Sequence, residues 1–210
     1  RLRRSGRVPA GDCVLRAAPG VEIARAIRDR RGEGNALGNL GIAYADLGEY
    51  QRAIAYYEQH LEIARAIGDR RGEGNALGGL GSAYAALGEY QRAIAYYEQH
   101  LEIARAIDDR RGEGNALGNL GIAYRNLGEY QRAIAYYEQA LVISRAIGDR
   151  RGVARHSWNL GLLYEAQGDL ARAVALMQVC VDFEQQIGHA DAEADAARLD
   201  EVKRKLAEGE

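Results

Sequence analysis

The sequence predicts an all-α solenoid of stacked helix pairs, and three observations carry the prediction. The first is a period of 40 residues: residues 22–61, 62–101 and 102–141 share EIARAI-x-DRRGEGNALG-x-LG-x-AY-x-x-LGEYQRAIAYYEQ-x-L. A decayed fourth copy runs from Val142 to about Val181. Repeats of roughly 20–50 residues cannot bury an apolar face alone and stack on their neighbours. The second observation is helical spacing of the apolar residues within each copy. The third is the placing of glycine and aspartate at the joints, where helices must end and begin.

Within the first copy, Leu37, Leu40, Gly41, Tyr44 and Leu47 form one stripe of a helix. First helices are predicted to start near residues 31, 71, 111 and 151, and Gly48 supplies the left-handed residue that ends the first of them. A second stripe, Ala53, Ile54, Tyr57, Leu61 and Ala64, predicts a helix from about Glu49 to Ile67. Gly68 breaks it, and Asp69 is suited to cap the next helix by accepting from its free N–H groups. Each copy thus reads as a short helix, a tight turn and a longer helix. After Gly188 the segment AEADAARLDEVKRKLAE carries only Leu199, Val202 and Leu206 as a thin stripe, so residues 190–210 are expected to form a polar capping helix.

Residues 1–20 form a basic leader with Arg1, Arg3, Arg4, Arg7 and Arg16 against Asp12, expected to be disordered or an artificial junction. Val21–Ile27 matches only the tail of a preceding second helix, which suggests a piece of a longer array. The formal charge of −2 argues against nucleic acid as a partner. Cys13 and Cys180 offer no disulfide framework and no CxxC metal spacing. No apolar run approaches the roughly 18 residues of a membrane span. A cytoplasmic protein without membrane contact is therefore expected.

Leu40-Gly41, Tyr44, Gly48, Tyr50, Ala53 and Tyr57 have the order and spacing of the tetratricopeptide repeat, and the resemblance covers about residues 21–189. The forty-residue units resemble the long repeats of spindle-orientation adaptors, kinesin light chains and bacterial signalling proteins. The resemblance implies a right-handed superhelical solenoid of antiparallel helix pairs. It also implies a protein or peptide partner held in a concave groove lined by the first helices, with no catalysis. On this chain the groove face falls on Asn35, Asn39 and Ile42, then Asn75 and Ser82, then Asn115, Asn119, Ile122, Arg125 and Asn126, then Arg155, Trp158, Asn159 and Leu162. The family's carboxylate clamp uses groove lysines, whereas the lysines here are Lys203 and Lys205.

The three good copies differ at six places, represented by Arg28, Asn39, Ile42, Ala45, Asp46 and His60, and four of these lie on the expected groove. Gln51, Arg52, Glu58, Gln59, Glu62 and Arg65 on the opposite face are invariant, which reads as tuning of the groove. Side-chain amides both donate to and accept from an extended peptide, which suits the asparagine rows to that task. Gly38, Gly78 and Gly118 read as room for a bulky ligand, and Trp158 as an aromatic anchor.

His60 and His100 are expected as packed, hydrogen-bonded residues near the contact between repeats, too far apart to share a metal ion. Asp69 and Glu73 read as helix-start charges. No Ser/His/Asp or Cys/His constellation recurs and the DRRGEG joints are not phosphate loops. The expectation is an interaction scaffold within a larger multidomain protein, with no enzyme activity, small-molecule substrate, cofactor or metal. The alternative is self-assembly, in which near-identical units stack head to tail through the N-terminal face.

Overall fold

A computed structural model describes residues 19–209. The chain divides between Asp109 and Arg110 into two compact units. The first contains α1 (19–26), α2 (Arg30–Asp46), α3 (Tyr50–Ala66), α4 (Arg70–Ala86) and α5 (Tyr90–Ala106). The second contains α6 (Arg110–Asn126), α7 (Tyr130–Ala146), α8 (Arg150–Ala166), α9 (Leu170–Ile187) and α10 (Ala192–Glu208). No strand occurs among the described residues, and the helices form an all-α repeat solenoid. The expected leader lies outside the described residues up to position 18; residues 19 and 20 already belong to α1.

Each joint is set by local chemistry. Asp29, Asp69 and Asp149 accept from the N–H groups of Gly32, Gly72 and Gly152 at 2.8–3.0 Å, satisfying a donor that the first turn leaves free. Gly48 adopts φ 77°, and the Glu49 N–H then donates to the Tyr44 carbonyl at 2.9 Å. The expectation of a short and a long helix fails: α2 and α3 both have 17 residues. The aspartate cap starts the first helix early enough to take in RRGEGNA, so the added length is shared by both helices.

Leu37, Leu40, Tyr44, Ala53, Tyr57, Leu61 and Ala64 are buried as their spacing predicts. Glu73 is not a mere helix-start charge. Its side chain is 9% exposed and is gripped by Arg65 Nε at 2.9 Å and Arg70 Nη1 at 2.5 Å. Arg65 ends α3 and Arg70 begins α4, so the carboxylate clamps one repeat to the next. Glu33 makes the same clamp with Arg25 and Arg30, and the Arg25 hydrogen bond holds its carboxyl below the usual range.

A second device recurs between the helices of each pair. The rings of Tyr44 and Tyr56 stack with centroids 5.2 Å apart, and Arg52 lies 3.9 Å over the Tyr44 ring while pairing with Glu49. Tyr84 and Tyr124 repeat it. Arg52 and Arg65 are therefore held by structure, and the invariance of the face opposite the groove follows in part from stacking and clamping.

Candidate functional site

Side chains on the first helices that point away from the pair remain open. In the first unit Asn35, Asn39, Ile42, Asn75 and Ser82 are exposed. In the second, Asn115, Asn126 and Arg155 are exposed, while Asn119, Ile122, Arg125, Trp158, Asn159 and Leu162 are half-buried. The structure ties several of the latter together across α6 and α8. Arg125 Nη1 donates to Asn159 Oδ1 at 3.0 Å, and Arg155 Nη2 donates to Asn115 Oδ1 at 3.4 Å. The Asn159 amide also donates to the Arg155 carbonyl at 3.0 Å. In the first unit Ser82 is engaged with the Gly78 carbonyl and with Tyr97.

Gly38, Gly78 and Gly118 do not hold space for a ligand. A Cβ at Gly38 would lie 2.8 Å from His60 Nδ1, and one at Gly78 would lie 3.1 Å from His100 Nδ1. At Gly118 the third copy has Ala140 in place of the histidine, and His156 from α8 fills the gap instead. His60 and His100 thus pack against the first helix of their own repeat, with Asp69 and Asp109 at the joint to the next repeat also near them. Burial pushes all three imidazoles below their ordinary range, His156 to about 4. They are packed, but His100 Nδ1 and His156 Nδ1 have no hydrogen-bond partner.

Trp158 takes the register position of those glycines with a different neighbourhood. It borders a cavity of about 320 Å³ among α8, α9 and α10. Ala154, Phe183 and Ile187 supply further apolar surface, and Arg151, Arg155 and Asn159 supply polar groups beside it. The same cavity is lined by Cys180, Glu184, His189 and Asp195. The thiol and the two carboxylates lie within 4.8 Å of one another. Burial pushes the Cys180 thiol up to about 12, which makes it a poor nucleophile at neutral pH. Burial and the neighbouring Asp195 raise Glu184 as well.

None of these four residues is anticipated from motif spacing. The available signal is a departure from the repeat: Cys180 stands where the first two copies have His60 and His100, and Glu184 stands where the copies have Ala64, Ala104 and Ser144. None of the helices among the described residues is long and apolar enough to cross a membrane.

The family profile described as Tetratricopeptide repeat matches residues 21–66, 32–106 and 112–185. No curated protein matches the chain. Among solved structures it resembles BtubC (BKLC) from P. vanneervenii, at 19% identity over 96% of this chain and 93% of that one, TM-score 0.75. Kinesin-light-chain TPR-like repeats from Podosopora anserina match at 20% identity over 86% and 89%, TM-score 0.68. A Rap protein complexed with competence and sporulation factor matches at 20% identity over 94% of this chain and 60% of that one, TM-score 0.66. These likenesses show the fold.

Proposed function

Because this chain belongs to the tetratricopeptide repeat family, we propose that it is a protein-interaction scaffold that holds a peptide or partner segment on the open face of α6 and α8, beside Trp158. The observation that carries the reading is half-buried Trp158 on α8, with Arg155 and Asn159 beside it and tied to Asn115 and Arg125 of α6. A half-buried indole next to open apolar surface and paired polar handles is the usual make-up of an interface anchor. Arg125, Asn126 and Leu162 extend that face along the same helices. The first unit has Gly38 and Gly78 in place of Trp158 and Ala45 and Ala85 in place of Arg125, which give shape and little binding energy. The Rap protein of similar fold is complexed with competence and sporulation factor, which supports a segment-binding role.

The test begins with a pull-down on the isolated chain and identification of the bound segment, followed by calorimetric titration of that segment. Trp158→Ala is expected to weaken binding by about 2 kcal/mol or more. Ala45→Ser, in the first unit, is expected to leave affinity unchanged. A Trp158→Ala protein that melts far earlier yet binds with full affinity would make Trp158 a packing residue and remove the anchor from this reading.

A further inference from the structure

Along the 40-residue register, position 184 belongs to a small buried residue: Ala64, Ala104 and Ser144 are each shut inside their repeats. In the last pair a glutamate stands there, its side chain only 13% exposed. Its Oε2 is cut off from solvent and has no hydrogen-bond donor. One turn earlier Cys180 is buried on the same face of α9, and Asp195 approaches from α10. His189, on the turn between the two helices, places Nδ1 3.8 Å from Glu184 Oε1. Two half-buried carboxylates held within 4.8 Å of each other repel unless a proton or a cation lies between them. The nearby cations of α10 are committed elsewhere, since Arg198 and Lys205 both pair with Glu165.

We propose that Cys180, Glu184 and Asp195 form a three-ligand binding site for a divalent metal ion of the zinc class, with water completing the shell. The site lines the cavity that Trp158 borders, and its test does not rely on a bound partner. The donor set decides the class of metal. A thiolate beside two carboxylates suits zinc or cobalt, whereas magnesium and calcium take all-oxygen shells. A tetrahedral shell with bonds of about 2.0–2.3 Å puts its ligand atoms roughly 3.5 Å apart. The 4.8 Å cluster therefore closes by about 1 Å through side-chain rotation. Binding converts the Cys180 thiol to a thiolate and releases its proton to solvent, together with any proton shared by the carboxyl pair. The consequence is a cross-link from α9 to α10, the helix that otherwise rests on buried Leu199 and Val202 and on the Glu165 ion pairs.

The full chain carrying Cys13→Ser, stripped with chelator, is titrated with cobalt(II) and then zinc(II). The expected result is a near-ultraviolet thiolate-to-cobalt absorption that saturates at a single equivalent and is bleached by zinc. Cys180→Ser abolishes that absorption, and Glu184→Gln weakens binding with helix content unchanged. The melting temperature of the parent protein rises with zinc concentration and does not respond to magnesium. No absorption and no response of melting to zinc in the parent protein would overturn the proposal. So would an absorption that survives Cys180→Ser. If the parent binds no metal and Glu184→Gln melts higher than it, the carboxyls share a proton and the proposal falls.

Discussion

At Gly41 an added methyl group would meet Tyr57 Cε1 at 2.5 Å, and at Gly79 another would meet the same ring atom at 2.6 Å. The buried ring is held from both sides, by the first helix of its own repeat and by that of the next. Helix propensity alone favours alanine over glycine by about 1 kcal/mol. Here overpacking of a ring that has nowhere to move outweighs it. Gly41→Ala is expected to lower stability by about 1–3 kcal/mol, read as a lower urea midpoint at unchanged slope. A rise in the midpoint would mean that the Tyr57 ring can rotate aside. The same logic explains why Gly38 and Gly78 recur: the histidine one helix away needs their surface.

At the scale of the element, the start of each first helix joins a cap to a clamp. Asp69 accepts from the Gly72 N–H at 3.0 Å and lies 3.2 Å from Arg31, while Glu73 one turn later bridges Arg65 and Arg70. The arginines are about half exposed, so solvent screens much of their pull. The cap is the firmer quantity. Asp69→Ala is expected to cost about 1 kcal/mol, and Asp69→Asn, which keeps an accepting oxygen, substantially less. Equal losses from both substitutions, measured by chemical denaturation, would place the stabilisation in the charge of Asp69 and not in the hydrogen bond to Gly72.

Across the whole molecule, three imidazoles are pushed toward the neutral form by desolvation: buried His60 and half-buried His100 in the first unit and buried His156 in the second. Burial dominates each shift, opposed by Asp69 near His60 and Asp109 near His100. Arg155 lowers His156 further, while Asp149 opposes the shift. The folded state thus binds fewer protons than the unfolded chain below pH about 6.5. The histidine contribution to stability is complete above that value and is lost as pH falls toward the folded value of about 4 for His156. Thermal melts are expected to decline from pH 7 to pH 4.5, with the His156→Gln protein declining less steeply than the parent. A parallel decline in both would assign the loss to His60 and His100, since Glu33, with its lowered carboxyl, loses its contribution only at more acidic pH.

The sequence by itself determined the architecture, because each determinant is local or exactly periodic in the chain. The Gly48 turn, the Asp69 cap, the stripes of Leu37–Tyr44 and Ala53–Ala64, and the polar helix around Leu199 and Val202 all act within a few residues, whereas Leu47, expected in the first stripe, is 45% exposed at the helix end. It also placed Asn35, Asn75, Trp158 and their neighbours on an open face, since helical period fixes direction. What it did not show was which gaps are filled. Gly118 looks identical to Gly38, yet a histidine from α8, the first helix of the next repeat, occupies its space. Nor did it show that Glu184 and Asp195, eleven positions apart in the chain, converge beside Cys180. Such juxtapositions depend on how α10 docks against α9, and docking is decided by the summed packing of side chains from separate helices, which no local spacing encodes.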